Sequence, residues 1–173
     1  FHKIIIIDNR FISERVNQIR NWNMEFILGD ILDKDLIKKY CKDADTIHHL
    51  AGVTQVPRTK SEATDAQDKK ITEVAEQGTQ NILDVIEKKC KIVFPSTHVV
   101  YEGINVVKTD IDENEDTKPV LSYSSSKTIN ENQLKKSGKN YVILRLGSVY
   151  GYSTDSMRID IMPNLFSKIA SQD

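Results

Sequence analysis

A tyrosine and a lysine four residues apart carry the clearest chemical signal in this sequence, in the stretch Tyr123-Ser-Ser-Ser-Lys127. On an α-helix these two positions are neighbours on one face. The ammonium group would lower the cost of forming a tyrosinate, because it places positive charge beside the developing negative charge. Such a tyrosine can remove a proton from a substrate hydroxyl while a hydride leaves the same carbon. A solvated helix lysine is the alternative for Lys127, so the neighbouring segments must decide.

Strands that alternate with helices must position this pair. Continuous apolar runs predict buried parallel strands, and runs with helical period predict helices. The predicted strands cover 3–8, 24–28, 45–50, 91–94 and 141–146, and the predicted helices cover 33–42, 71–86 and 122–137. This alternation is typical of βαβ units. We therefore predict an α/β fold with a Rossmann-like, doubly wound parallel sheet.

Small and polar residues follow the predicted strands, at the points where the strands end. In doubly wound sheets ligands bind beyond the carboxyl ends of the strands, so these residues are candidates for one site. They are Asp8, Gly29-Asp30, Ala51-Gly52, Ser96-Thr97 and Gly147-Ser148. A strand-end Asp8 that only caps a turn, and a Thr97 that only ends a strand, are the alternatives.

Composition excludes several classes of function. The chain has 173 residues, enough for one domain, and a net charge of −1, which provides no basic surface for nucleic acid or an anionic membrane. No apolar run is long enough to span a bilayer. The acidic region 108–118 is interpreted as a solvated loop, and we predict no metal site. We expect Cys41 and Cys90 to be buried free thiols in a cytoplasmic protein, with a disulfide or a reactive thiol as alternatives.

Taken in order, these segments resemble the extended short-chain dehydrogenase/reductase family, the NAD-dependent epimerase/dehydratase group that acts on nucleotide sugars. The resemblance covers nearly the whole chain. It rests on Asp8-Asn9, Gly29-Asp30-Ile31, His49-Leu50-Ala51-Gly52, Gly78-Thr79-Gln80-Asn81, Ser96-Thr97-His98-Val99-Val100-Tyr101, Tyr123 with Lys127, and Arg145-Leu146-Gly147-Ser148-Val149-Tyr150-Gly151.

The resemblance implies a role for each matched position. Asp8 would bind the adenosine ribose hydroxyls and repel a 2′-phosphate, which favours NAD over NADP. Asp30 and Ile31 would flank the adenine, and the small Ala51 and Gly52 would let the backbone approach the cofactor. The implied catalytic residues are Thr97, Tyr123 and Lys127. The implied NAD-binding residues are Asp8, Asn9, Asp30, Ile31, Leu50, Ala51, Gly52, Ser96, Tyr123 and Lys127.

Several positions depart from the family pattern. Ala75 stands where an Asn usually helps to organise water, and Glu102 stands where a Gly usually follows Tyr101. Pro95 replaces a small polar residue near a strand end. His98-Val99 replaces the Asp-Glu pair of the 4,6-dehydratases, which disfavours dehydration. A structural role for His98 is favoured over a role as an acid.

The glycine-rich first strand-turn unit of the family would precede Phe1, and its C-terminal substrate-binding part would follow Asp173. We therefore expect residues 1–173 to form part of an NAD-binding Rossmann domain within a longer enzyme. In the strand order 3-2-1-4-5-6, the first strand lies between the second and the fourth. Without it, we expect two half-sheets with unpaired edges.

The leading functional hypothesis is an NAD-dependent nucleotide-sugar epimerase. Tyr123 would deprotonate a sugar hydroxyl while hydride passes to NAD, and hydride would return to the other face of the keto sugar. A nucleotide-sugar dehydratase or reductase that uses the same residues is the related alternative. A non-catalytic NAD-binding or interaction module is the alternative of a different class. The resemblance also implies a homodimer, with Ile129 and Leu134 on the helix of Tyr123 as candidate contacts, although packing of both against the sheet is an equal alternative.

Overall fold

A computed structural model describes residues 2–53, 64–152 and 158–172 of the chain. Within these residues, short strands alternate with helices in an α/β arrangement. The strands are β1 (Ile5–Asp8), β2 (Glu25–Leu28), β3 (Thr46–His48), β4 (Lys91–Thr97) and β5 (Asn140–Leu146). The helices are α1 (Ser13–Asn21), α2 (Lys34–Cys41), α3 (Asp65–Val85), α4 (Ser122–Lys136) and α5 (Met162–Ala170), and a short 3-10 helix covers His98–Tyr101.

The strands form two separate parallel sheets. β1 pairs with β2, and β3, β4 and β5 pair in that order. Among the described residues, no strand lies between β1 and β3, so each has one edge without a strand partner. The expectation of two half-sheets is therefore confirmed.

One hydrophobic core joins the two sheets and positions the helices. Ile92 and Phe94 alternate along β4 on the face that packs against α3 and α4, where Ile82 and Leu134 are also buried. Ile7 of β1 packs against the same cluster. The helix that carries Tyr123 is thus fixed to the sheet by its buried residues. Leu134 is fully buried in this core, so of the two alternatives for Leu134, packing against the sheet is the correct one.

The structure differs from the predicted elements at several points. β4 continues to Thr97 despite Pro95, which lacks a backbone N–H. The partner β3 ends at His48, opposite Val93, so Pro95 lies beyond the ladder on that side. Helices α1 and α5 were not predicted, because Ser13–Asn21 contains few apolar residues and Met162–Ala170 lies beyond the last motif of the sequence.

Both cysteines are free. Cys90 is buried, as predicted, whereas Cys41 is only half-buried. Burial raises the pKa of the Cys41 thiol to about 11, and burial also raises the pKa of Cys90. Both thiols are therefore protonated at neutral pH, which argues against reactive thiolates. In the described part of the chain, no helix is long and apolar enough to cross a membrane.

Candidate active site

A cleft of about 270 Å³ lies at the carboxyl ends of the three-stranded sheet. It brings together predicted site residues from three separate segments: Leu50, Ala51 and Gly52 after β3, Ser96 and Thr97 at the end of β4, and Tyr123 and Lys127 on α4. Since the carboxyl ends of parallel strands share one edge of the sheet, this convergence follows from the topology.

Tyr123 and Lys127 lie in the first turns of α4, on the face directed toward the cleft. Two of the three serines between them hydrogen-bond the local backbone. Ser126 Oγ donates to the Tyr123 carbonyl at 2.7 Å, and Ser124 Oγ accepts from the backbone N–H of Leu121 at 3.2 Å. These hydrogen bonds satisfy local backbone groups, so the cleft-facing positions are left to the phenol and the ammonium.

Lys127 is anchored to the end of β4. Its Nζ donates to the Pro95 carbonyl at 2.9 Å and lies 4.6 Å from the centroid of the Phe94 ring. Burial lowers the pKa of Lys127 to about 8. At neutral pH the ammonium is therefore mostly protonated and half-buried in the cleft, which disagrees with the alternative of a solvated helix lysine.

The pKa of Tyr123 differs from the sequence expectation. Burial raises the pKa of the phenol, and the cation that opposes this effect is Arg158, which the sequence did not indicate. Lys127 Nζ lies 5.9 Å from the centroid of the Tyr123 ring and donates to Pro95 instead. In this structure the expected lowering of the Tyr123 pKa by Lys127 is therefore not seen, because desolvation outweighs the charge effect.

The end of β4 contributes Thr97 and Ser96. Thr97 Oγ1 accepts from the backbone N–H of Val99 at 3.3 Å, so it fulfils the strand-end role while it also lines the cleft. The hydroxyl of Ser96 donates to Glu131 Oε1 at 2.6 Å. His98 Nδ1 hydrogen-bonds the Leu146 carbonyl at 3.1 Å, which supports its structural interpretation.

A buried carboxylate that the sequence did not indicate holds α4 against the sheet. Glu131 is 1% exposed and accepts from Arg145 Nε at 3.0 Å and Arg145 Nη2 at 2.7 Å. Burial by itself would raise the pKa of Glu131, but the hydrogen bonds from Arg145 and Ser96 outweigh it and hold the pKa below its ordinary value. Arg145 Nη1 also donates to the Tyr101 hydroxyl. The ion pair therefore links α4, β5 and the segment after β4.

The remaining predicted residues form a second cluster, at the carboxyl ends of β1 and β2. Asn9 Nδ2 donates to Asp30 Oδ2 at 3.0 Å, and the backbone N–H of Leu32 donates to Asp30 Oδ1 at 2.9 Å. These two hydrogen bonds lower the pKa of Asp30, so its carboxylate is charged at neutral pH. Asp8 Oδ1 accepts from the backbone N–H of Arg10 at 2.8 Å, so Asp8 does cap the turn while its side chain stays exposed.

Helix α3 supports both clusters through its Gly78-Thr79-Gln80-Asn81 segment. A Cβ on Gly78 would lie 2.8 Å from Ile31, so the glycine permits close packing there. Asn81 Nδ2 donates to the Ile31 carbonyl at 3.0 Å. Thr79 Oγ1 hydrogen-bonds His49 Nε2 at 2.8 Å, next to the Leu50 that lines the cleft. The segment thus fixes the two turns that the resemblance assigned to the cofactor.

Comparison with known proteins identifies the relatives of this arrangement. The model of the NAD dependent epimerase/dehydratase family matches residues 2–173. The chain belongs to this family.

Individual relatives agree with the assignment. The chain is 34% identical over 162 residues to a curated protein of Methanocaldococcus jannaschii named "Putative UDP-glucose 4-epimerase", and the match covers 89% of this chain and 50% of that protein. The Bordetella bronchiseptica enzyme WbmH in complex with NAD+ has a TM-score of 0.75 at 24% identity, over 99% of this chain and 55% of that one. The UDP-glucose 4-epimerase of Thermotoga maritima with UDP-glucose has a TM-score of 0.75 at 20% identity, over 96% and 54%.

The two structural comparisons establish the fold alone, and they confirm the Rossmann-like prediction. The chain spans about half the length of the relatives that it matches.

Ala75 stands where other members of the epimerase/dehydratase family usually have an Asn, but the side-chain amide of Asn130 lies close to this position. Asn130 of α4 is buried and lines the cleft, and its Nδ2 donates to the Ala75 carbonyl and to Thr79 Oγ1, both at 2.8 Å. The sequence did not indicate Asn130, because its contacts lie on a different helix. It nevertheless shares the i, i+3 face of α4 with Lys127, a spacing that could have drawn attention to it.

Replacement of Lys127 by methionine tests the electrostatics of the cleft. The folded-state pKa of about 8 lies below the ordinary value, so the unfolded chain binds the proton more tightly between these two values. The free-energy cost of burying the Lys127 ammonium is therefore fully present below pH 8, and it disappears as the pH rises toward about 10.4. We expect Lys127→Met to raise the free energy of unfolding at pH 7 by about 1–2 kcal/mol, after subtraction of the lost hydrogen bond to Pro95.

Urea denaturation at pH 7 and near the upper end of this range measures the effect. At the higher pH the stabilisation should be lost, because the variant then lacks only the hydrogen bond to Pro95. Lys136→Met, at an exposed position of the same helix, is the matched control and should change stability by less than about 0.5 kcal/mol. A Lys127→Met variant that is less stable than the wild type at pH 7 would contradict the burial argument.

Proposed function

We propose that this protein is an NAD-dependent nucleotide-sugar epimerase in which Tyr123 is the general base. The observation that carries the proposal is the convergence of Thr97, Tyr123 and Lys127 in one cleft. A phenol, a hydroxyl and an ammonium around one space can bind a single substrate hydroxyl, remove its proton and stabilise the oxygen that forms.

The residues of the two clusters fit NAD. The charged Asp30 carboxylate and the exposed Asp8 carboxylate suit the hydrogen-bond donors of an adenosine, and Ile31 offers an apolar contact beside them. Gly52 faces open space, since a Cβ there would meet no atom within 4 Å. NAD, when bound, supplies the acceptor and donor of hydride. Lys127 Nζ has three protons, of which one already goes to Pro95, so others can bind a ribose hydroxyl.

Proton transfer then depends on the chain's own groups. Thr97 would donate its hydroxyl hydrogen to the substrate oxygen, because its lone pair already accepts from Val99. Tyr123 would act as the tyrosinate, and the half-buried ammonium of Lys127 would stabilise this charged form. The tyrosinate oxygen would take the substrate proton, for which the raised pKa of the phenol makes it a stronger base, and the same proton would pass back to the sugar oxygen at the end of the cycle.

Product analysis tests the proposal on the protein at its native length. The protein is incubated with NAD and a panel of nucleotide sugars, in which UDP-sugars come first because two of the relatives are named for UDP-glucose. An epimer of unchanged mass is the expected product. A product lighter by one water would establish a dehydratase, and stoichiometric consumption of NADH a reductase. Binding of NAD without turnover of any sugar would favour the non-catalytic module.

We also propose that the enzyme is a cytoplasmic homodimer. The two protonated free thiols support a reducing compartment. Ile129, which is half-buried on α4, remains the candidate dimer contact after Leu134 is assigned to the core. Light scattering of the purified native-length protein measures the assembly, and a monomer at micromolar concentration would contradict it.

A further inference from the structure

Glu102 connects the segment after Thr97 to the beginning of α4. Its Oε1 accepts from the backbone N–H groups of Val120 and Leu121, each at 2.7 Å, and from the hydroxyl of Ser124. Leu121 precedes the first residue of α4, and Ser124 lies in the first turn. One carboxylate oxygen therefore holds both the backbone that enters the helix and a side chain directly after Tyr123.

The contact supplies what the local sequence lacks. A helix begins with unsatisfied N–H groups and a partial positive charge, which a carboxylate stabilises. The N-cap position of α4 is Leu121, whose side chain cannot accept a hydrogen bond. Burial alone would raise the pKa of Glu102, but hydrogen bonds from Ser124, Leu121 and Val120 hold it below its ordinary value, so the carboxylate is charged at neutral pH.

Backbone hydrogen bonds join the same two segments. The N–H of Lys118 donates to the Val100 carbonyl at 2.8 Å, and the N–H of Gly103 donates to the Lys118 carbonyl at 2.8 Å. A Cβ on Gly103 would lie 2.6 Å from the Lys118 carbonyl oxygen, so this close approach requires glycine. Several short hydrogen bonds therefore join the segment that follows Thr97 to the segment that precedes Tyr123, and those of Glu102 lie next to α4.

We propose that Glu102 is a positioning residue for Tyr123. It holds the start of α4 against the segment that follows Thr97, so that the hydroxyls of Thr97 and Tyr123 keep the separation that one substrate hydroxyl requires. Glu102 itself is not among the residues that line the cleft, so it acts through Tyr123. The inference rests on the proposed epimerase function and adds a residue that the family pattern, with glycine at this position, does not provide.

The kinetics of Glu102→Ala test the inference in the native-length protein. Titration with NAD counts folded sites, so turnover per NAD-binding site does not fall when a variant merely loses stability. We expect kcat per site to fall about 10- to 100-fold, because small misplacement of a reacting group has large effects on rate. The KM for the sugar and the Kd for NAD should change by less than about threefold, since the contacts that bind them are retained.

Glu115→Ala is the matched control, because Glu115 is also a hydrogen-bonded carboxylate, whose partner is Lys108 at 2.7 Å, and it is not among the residues that line the cleft. Its kcat should equal that of the wild type. If Glu102→Ala does not fold, Glu102→Gln is measured instead, because its amide oxygen keeps the backbone contacts while the charge is lost. We expect a 3- to 10-fold lower kcat for this variant. Wild-type kcat per site in the folded Glu102 variant overturns the inference. Absence of turnover in the wild type would instead overturn the proposed function.

Discussion

Tyr123→Phe should lower kcat by about a thousandfold while the affinity for NAD stays within about threefold of the wild type. The substitution removes only the phenol oxygen that, as the tyrosinate, would accept the substrate proton. The ring is half-buried in the cleft and keeps its packing, so the cofactor contacts of the other residues persist. Steady-state turnover of the sugar identified by product analysis, together with NAD titration by fluorescence, measures both quantities.

Tyr40→Phe is the control for this prediction. Tyr40 lies on α2, is also half-buried, and is not among the residues that line the cleft. The Tyr40→Phe substitution also removes a phenol hydroxyl, but away from the cleft, so kcat should stay unchanged. Turnover of Tyr123→Phe within tenfold of the wild type would exclude Tyr123 as the general base, whatever the reaction proves to be.

Arg145→Met should lower the free energy of unfolding by about 3–5 kcal/mol. The substitution leaves the Glu131 carboxylate, which is 1% exposed, without the guanidinium that donates two hydrogen bonds to it. An unpaired buried charge is strongly destabilising, whereas an apolar pair of similar volume often is not. The double variant Arg145→Met/Glu131→Met should therefore recover most of the lost stability.

The dependence of this effect on pH follows from the pKa of Glu131, which is held below its ordinary value. A carboxylate whose pKa is lowered in the folded state contributes stability above its unfolded-state pKa, and that contribution is lost as the pH falls through the folded-state pKa. The difference between the wild type and Arg145→Met should thus shrink in acid, below about pH 4.3. Urea denaturation over this range measures it.

Lys135→Met provides the control, because Lys135 contacts the same Glu131 carboxylate at 3.4 Å but is itself exposed. An exposed partner of this kind contributes less than about 1 kcal/mol. A loss of less than about 1 kcal/mol in Arg145→Met would show that the buried ion pair does not stabilise α4 against β5.

The sequence was informative where the signal is local. Apolar runs located the five strands of the described residues to within a few residues, because parallel strands covered by helices are continuously apolar. Apolar residues at helical period located α2 and α3, and α4 was predicted as the helix between two strands that carries Tyr123 and Lys127. The sequence reasoning missed α1, whose few apolar residues form no clear stripe, and α5, which lies in a region where the motifs had already ended.

The candidate site was predictable in part of its membership but not in its electrostatics. Thr97, Tyr123 and Lys127 were named from their order along the chain, and the fold places them in one cleft. The direction of the Tyr123 pKa was not predictable, because it depends on burial and on Arg158, which is distant in sequence. Spacing along a helix says which side chains are neighbours, but it does not say how much water surrounds them.

The amino-acid sequence by itself determined the type and order of the elements and the residues at the strand ends, since both depend on local periodicity and residue type. Only the tertiary structure decided which groups hold those residues in place. Glu102 meets the start of α4 across a loop, and Glu131 of α4 meets Arg145 of β5. Such pairs form only when the chain packs, because the partners are separated in sequence. Burial then makes the stability of each polar group depend on its partner.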